Sequence, residues 1–163
     1  MRLFIAIPLS EAMRRALADA QAEMRRQNVR GNYTPPENLH LTLAFIGEYP
    51  DPEAAVEALP VPEPFDLTLC GIGAFGDLWW AGLERSDPLN DYVRTLRHAL
   101  SDANIPFDRK RFSPHITLLR RAQGRPVLQI PQATMTARRV CPMRSDRGKN
   151  GMIYTEIGGV ESV

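Results

Sequence analysis

The tetrapeptide His40-Leu41-Thr42-Leu43 recurs almost unchanged as His115-Ile116-Thr117-Leu118, and this repeat constrains the fold more than any other feature of the chain. Each copy alternates polar and apolar side chains. That pattern predicts a strand whose His and Thr share one face while Leu or Ile faces a core. His115 lies 75 residues after His40 in a chain of 163 residues, so each half supplies one motif strand. The spacing indicates an internal duplication.

The patterns around the two motifs predict the same order of elements in both halves, because a long helix precedes each motif strand. The apolar run 2–8 predicts a central strand. The remaining patterns predict helices at 11–27, 52–59 and 87–103, and strands at 38–48, 65–75, 78–83, 132–143 and 152–157. A further strand carries His115, and loops are predicted at 104–112 and 144–151. We therefore expect an α+β fold of two lobes, related by a pseudo-two-fold axis, that share a central cleft. Residues 1–163 are expected to form one domain of two intertwined lobes.

The composition is that of a globular protein, with 44% hydrophobic and 24% charged residues. No apolar run approaches the ~20 residues that span a bilayer, so we expect no membrane association. The two cysteines, Cys70 and Cys141, lie far apart and form no metal-ligand spacing. A reduced pair in a cytoplasmic protein is the expectation, and we expect a monomer.

The net charge of +1 conceals an asymmetry between the halves. Residues 1–82 carry 6 Lys and Arg against 11 Asp and Glu, whereas residues 83–163 carry 14 against 8. Between Arg109 and Arg125 there are six basic residues and no acidic one, and this stretch brackets the second motif. A basic field around a histidine favours an anionic ligand.

Two imidazoles and two threonine hydroxyls on one cleft are suited to acid–base chemistry on a phosphodiester. One His can take a proton from water while the other protonates the leaving oxygen, and Thr and Arg can stabilise the transition-state charge. The His-x-Thr spacing lacks the pattern of common zinc sites, so no metal and no cofactor are expected. His98, the third histidine, falls on the polar face of helix 87–103 and is expected to be solvated. Trp79 and Trp80 are expected to pack in the core.

The residues around both motifs resemble those of the two-histidine (2H) phosphoesterase superfamily. The segments that carry the resemblance run from Pro36 to Glu48 and from Phe112 to Arg120, together with Arg2 to Ile7 at the start. Within that superfamily they are most similar to the RNA 2′,3′-cyclic phosphodiesterases, also called 2′-5′ RNA ligases. The resemblance implies a bilobal α+β fold with two antiparallel sheets and flanking helices around the cleft.

The resemblance also implies a reaction and a set of roles. RNA ending in a 2′,3′-cyclic phosphate would be hydrolysed to a 2′-phosphate end without a metal, and 2′-5′ ligation would be the reverse reaction. His40 would be the proton donor and His115 the proton acceptor. Thr42, Thr117 and Arg120 would bind the phosphate. Strict strand alternation places Arg120 on the face opposite His115, so it reaches the cleft only if the strand twists or ends near Leu119.

Two alternatives stay open from the sequence. The same site could act on another cyclic or 2′-5′ nucleotide, or the chain could be a non-catalytic module that binds RNA phosphates. The presence of both His and both Thr favours catalysis, since Lys or Arg would serve binding alone equally well.

Overall fold

The computed structural model describes every residue from Met1 to Val163. The α-helices are α1 (Glu11–Arg26), α2 (Pro52–Ala58) and α3 (Asp87–Asp102), and a 3₁₀ helix covers Pro36–Asn38. The strands are β1 (Arg2–Pro8), β2 (Arg30–Tyr33), β3 (His40–Glu48), β4 (Phe65–Phe75), β5 (Leu78–Leu83), β6 (Ile116–Gln123), β7 (Thr134–Ala137), β8 (Arg139–Gly148), β9 (Gly151–Glu156) and β10 (Val160–Glu161).

The strands form two sheets in which every pairing is antiparallel. The first sheet has the order β10-β8-β1-β3, with β9 paired to β8, and the second has the order β2-β6-β5-β4-β7. The apolar strand β1 is central, as its composition predicts. The expected bilobal α+β architecture with two antiparallel sheets is confirmed.

The duplication is visible as two equivalent units, β1-α1-β3 and β5-α3-β6. Both long helices begin in the same way, because Ser10 caps the Met13 amide and Ser86 caps the Leu89 amide through their hydroxyl oxygens. The helices exchange sheets, however. Helix α1 follows β1 of the first sheet but contacts β6 and β7 of the second, and α3 follows β5 of the second sheet but contacts β3 of the first. The two halves therefore share one core of 31 buried residues.

Three local predictions are wrong. The predicted strand 132–143 is two strands, because the chain passes at Arg138 from β7 in the second sheet to β8 in the first. The predicted loop 144–151 is a β-hairpin, since β8 continues to Gly148 and β9 starts at Gly151. The predicted strand 38–48 starts only at His40, because the segment Pro36–Asn38 forms a 3₁₀ helix. Strand β2 is not predicted, because an exposed edge strand carries no apolar alternation.

No helix in the structure combines the length and the apolar character needed to cross a membrane.

Candidate active site

The two motif strands lie beside each other where the two sheets meet, with β3 in contact with β6. His40 is the first residue of β3, and His115 directly precedes β6. On each strand the apolar partners Leu41 and Ile116 are fully buried, whereas both histidines and both threonines are half-buried. The structure thus brings the four motif side chains to one cleft, as the alternation predicted.

Both motif strands contain a β-bulge at the same position. In β3, Ala6 pairs with Thr42 and Ile5 pairs with Ala44, so Leu43 is the extra residue. In β6, Trp80 pairs with Thr117 and Trp79 pairs with Leu119, so Leu118 is the extra residue. A bulge inserts one residue into one strand and reverses the facing of everything after it. The final residue of each His-x-Thr-x motif is therefore the bulged one.

The bulge in β6 resolves the orientation of Arg120. Leu118 and Leu119 are both completely buried, as expected where a bulge turns two successive side chains towards the core. After this bulge Arg120 lies on the same face as Thr117 and is exposed to the cleft. In β3 the equivalent position is Phe45, which is 54% exposed.

Side chains from the two long helices hold the bulges, and each acts on the other half of the molecule. Gln21 of α1 is 2% exposed, and its Nε2 donates to the carbonyl oxygens of Leu118 at 3.0 Å and Thr34 at 2.8 Å. Arg97 of α3 donates from Nη2 to the Leu43 carbonyl at 3.4 Å and from Nη1 to the Lys110 carbonyl at 2.7 Å.

Gln21 and Arg97 occupy the same position in their helices, ten residues after the first residue in both cases. Each one bonds the bulged carbonyl of one motif strand and a carbonyl in the loop that leads into the other motif strand. We call these two side chains the crossed clamps. They show that the duplication extends to the groups that fix the shape of each motif.

The two histidines are oriented by the backbone. Nδ1 of His40 donates to the Asn38 carbonyl at 2.6 Å, and Nδ1 of His115 donates to the Ser113 carbonyl at 2.7 Å. A carbonyl can only accept, so Nδ1 carries a proton and Nε2 is left for chemistry. The two sites differ at Nε2, because Nε2 of His40 is 2.7 Å from the Thr42 hydroxyl, whereas Nε2 of His115 faces the cleft without such a bond.

The electrostatic environment lowers the pKa of His40. Burial is the largest cause, and the positive charges of Arg120 and His115 lower that pKa further, while the hydrogen bond to the Asn38 carbonyl opposes them. Arg120 and His115 therefore lie close enough to His40 for their charges to act on it. Neutral His40 is therefore favoured until an anion enters.

Aromatic rings support both histidines. The ring of Tyr154 meets His40 edge-on at 5.2 Å between centroids, and the ring of Phe75 meets His115 edge-on at 5.2 Å. Trp80 lies 6.4 Å from His115, so its expected core position is wrong, whereas Trp79 packs against the core. Trp80 pairs with Thr117, which puts its side chain on the same face as Thr117.

Trp80 lies across the backbone of β4 at Gly73. A Cβ atom at Gly73 would come within 2.4 Å of the six-membered ring of Trp80, so only glycine leaves room for the indole beneath His115. The indole Nε1 is buried without a hydrogen-bond partner.

The cleft holds no constellation suited to a metal. No group of three or more His, Cys, Asp or Glu side chains lies close enough together to bind an ion. Cys141 is buried, which raises the pKa of its thiol to about 11, and Cys70 is unpaired.

Comparison with known proteins identifies relatives of this site. The sequence pattern of the LigT like Phosphoesterase family matches residues 7–78. The RNA 2′,3′-cyclic phosphodiesterase of Thermus thermophilus is 36% identical over 149 residues, covering 77% of this chain and 71% of the relative. That of Geobacillus stearothermophilus is 30% identical over 141 residues, which cover 80% of this chain but only 45% of the relative, so the chain spans less than half of that protein.

Solved structures show the same fold. Escherichia coli LigT in its apo form superposes with a TM-score of 0.81 at 26% identity, covering 99% of this chain and 98% of LigT. Its complex with 3′-AMP superposes with a TM-score of 0.79 at 27% identity, covering 98% of this chain and 96% of LigT.

The fold and the paired His/Thr strands define an enzyme of the 2H phosphoesterase class, a phosphodiester hydrolase. Within that class, the chain belongs to the LigT-like phosphoesterase family, whose curated relatives are named RNA 2′,3′-cyclic phosphodiesterases.

Proposed function

We propose that the protein hydrolyses the 2′,3′-cyclic phosphate end of RNA to a 2′-phosphate end by acid–base catalysis between His40 and His115. One observation carries this proposal: each imidazole keeps its Nδ1 on a main-chain carbonyl, which directs both Nε2 atoms to chemistry at one cleft. The names of the relatives support the substrate, since they are called RNA 2′,3′-cyclic phosphodiesterases. E. coli LigT has been crystallised with 3′-AMP, which supports a nucleotide ligand.

In the proposed mechanism, Nε2 of His115 accepts a proton from water as the water oxygen attacks phosphorus. Nε2–H of His40 donates a proton to the departing 3′ oxygen as the P–O3′ bond breaks, so one bond forms and one breaks with no net change of protons. The hydroxyls of Thr42 and Thr117 donate to non-bridging oxygens. The guanidinium of Arg120 stabilises the negative charge of the transition state.

The lowered pKa of His40 fits the role of donor once substrate is bound. The phosphate anion offsets the charges of Arg120 and His115, so binding favours the protonated form of His40.

The proposed enzyme is a single-domain monomer of the cytoplasm. Both histidines come from one chain, so a monomer is sufficient and residues 1–163 act as one domain. RNA as substrate and two unpaired cysteines are compatible with the cytoplasm. The 2′-5′ ligation of RNA ends is the same equilibrium in reverse, and we propose hydrolysis as the main direction.

The test is an assay with an oligoribonucleotide that ends in a 2′,3′-cyclic phosphate, in the presence of EDTA, with phosphorus NMR of the product. We expect a 2′-phosphate, and loss of all turnover in EDTA would refute the metal-free mechanism. Turnover confined to other cyclic or 2′-5′ nucleotides would favour the alternative substrates.

The histidine variants test the roles. We expect His40→Ala and His115→Ala each to lower the rate by about 10²–10⁴-fold, because each removes one acid or base. His98→Ala is the matched control, since His98 is exposed on α3. If either cleft variant kept the rate of the control, the assignment of that residue would be wrong, and binding of RNA without any turnover would favour a non-catalytic module.

A further inference from the structure

A small pocket adjoins His40 on the cleft face of the first sheet, and neither acid–base catalysis nor phosphate binding uses it. Its volume is about 100 Å³. Ala6, Pro8 and Met143 contribute apolar surface to its lining, and Arg14, Glu37 and Glu156 contribute charged groups.

Two groups in the pocket carry charges without partners. Glu37 is exposed and belongs to none of the ion pairs of the structure, and Arg14 is half-buried with its Nε buried and unbonded. Glu156 pairs with Arg139 through Oε2, which leaves Oε1 outside that contact. Opposite charges that line one pocket without pairing are both available to a ligand.

The balance of these groups indicates the chemistry of that ligand. Glu37 offers the pocket an unpaired carboxylate, which would repel a phosphate, and Arg14 offers an unpaired guanidinium. Carboxylates accept hydrogen bonds only, so the ligand must be rich in N–H donors and must also offer one acceptor to Arg14. The edge of a nucleobase with an amino group meets these requirements.

The position of the pocket agrees with the proposed function, on which this inference rests. If His40 protonates the 3′ oxygen, the ribose of the terminal nucleotide lies on the His40 side of the phosphate. Its base then lies beside the ring of Tyr154, which meets His40 edge-on.

We propose that this pocket binds the base of the terminal nucleotide and selects guanine over uracil. The N1–H and N2–H₂ edge of guanine can donate to the Glu37 carboxylate, and O6 can accept from Arg14. Uracil offers a single N–H flanked by two carbonyls, so it satisfies the carboxylates poorly. Adenine and cytosine, with one amino group each, are expected to be intermediate.

The experiment compares kcat/KM for two oligoribonucleotides that differ only in a terminal guanosine or uridine 2′,3′-cyclic phosphate. We expect guanosine to be preferred by about tenfold or more, the value of one hydrogen bond to a charged group. Glu37→Gln should reduce the preference to within about threefold by lowering kcat/KM for guanosine, since an amide is a weaker acceptor. Glu57→Gln is the matched control, because Glu57 is exposed on α2.

The outcomes separate the pocket from the reaction. Hydrolysis of both substrates at equal rates would overturn the role of the pocket in selecting guanine and would leave the proposed function intact. A guanosine preference that is unchanged in Glu37→Gln would have the same meaning. Calorimetry measures the affinities for guanosine and uridine 2′-monophosphates, and so tests the base preference of the pocket without turnover. A preference for guanosine lost in Glu37→Gln supports it, and equal affinities overturn it even if neither oligonucleotide is hydrolysed.

Discussion

Replacement of Gln21 by leucine tests whether the crossed clamps set the geometry of the catalytic cleft. Leucine is similar in size to glutamine but donates no hydrogen bond. The Thr34 carbonyl loses its bond to Nε2, whereas the Leu118 carbonyl keeps a second donor, the Thr34 amide at 3.0 Å. One buried acceptor is left unsatisfied and a second is weakened.

We expect this change to lower the free energy of unfolding by about 1–3 kcal/mol, the cost of one unsatisfied buried polar group. Chemical denaturation measures it. Asp19→Leu is the control, because it places the same leucine on the exposed side of the same helix and should change stability by no more than about 0.5 kcal/mol.

The effect on catalysis follows from the bulge at Leu118, which turns Arg120 into the cleft. In the proposed mechanism Arg120 donates a charge-assisted hydrogen bond to phosphate, and loss of such a bond is worth about 1.5–3 kcal/mol, or about 10- to 150-fold in kcat/KM. If Gln21→Leu acts by misplacing Arg120, its loss of kcat/KM should not exceed that of Arg120→Met.

The double variant gives the decisive result. Two changes that remove the same interaction are not additive, so Gln21→Leu with Arg120→Met should be about as active as Arg120→Met alone. Full additivity of the two losses would refute the link between Gln21 and Arg120. If Gln21→Leu lowered stability as expected but left kcat/KM unchanged, Gln21 would have a structural role only.

Three further predictions follow from contacts in the cleft. Arg120→Met should raise the pKa of His40, because the substitution removes a positive charge that disfavours the protonated ring. NMR titration measures this pKa, and an unchanged value would contradict the cleft electrostatics. Because the protonated donor is lost as pH rises through its pKa, the alkaline loss of kcat should move to higher pH. Gly73→Ala should lower the free energy of unfolding by about 1–3 kcal/mol, because the added methyl group overpacks against Trp80, and it should also lower kcat. Trp80→Phe should relieve part of this loss of stability. Equal stability losses with and without the indole would disprove the steric cause. Asn38→Ala should speed hydrogen exchange in β9 by removing a 2.8 Å bond to that strand, with exchange in β4 as the internal control.

The elements that the sequence predicts well are those with strong local periodicity. The strands β1, β4 and β5 and both long helices have the expected bounds to within one residue, because their apolar stripes and capping serines are local signals. The convergence of the two motifs also follows from the repeat, since residues of one type at equivalent positions of a duplication meet near its axis.

The parts that the sequence does not predict depend on pairing between distant segments. The bulges at Leu43 and Leu118 are properties of register with β1 and β5, and no residue in either motif marks them. The orientation of Arg120 depends on the bulge at Leu118, and the position of Trp80 depends on the pairing of β5 with β6, so the sequence alone does not fix either. In the sequence, Gln21 cannot be distinguished from the other polar residues of an amphipathic helix. Its hydrogen bond to the Leu118 carbonyl joins residues 97 positions apart and exists only in the folded chain.

The exchange of helices between the sheets links catalysis to complete folding. Because α1 packs on strands of the second half and α3 on a strand of the first, neither half can cover its own sheet. The bond between Gln21 and the Leu118 carbonyl joins residues 97 positions apart, and contacts of such long range form late and slowly. A nascent or partly unfolded chain therefore has two incomplete motifs and no phosphate cleft. If the proposed function holds, we expect turnover to depend on the folding of the whole chain, so that a cut within either unit removes activity.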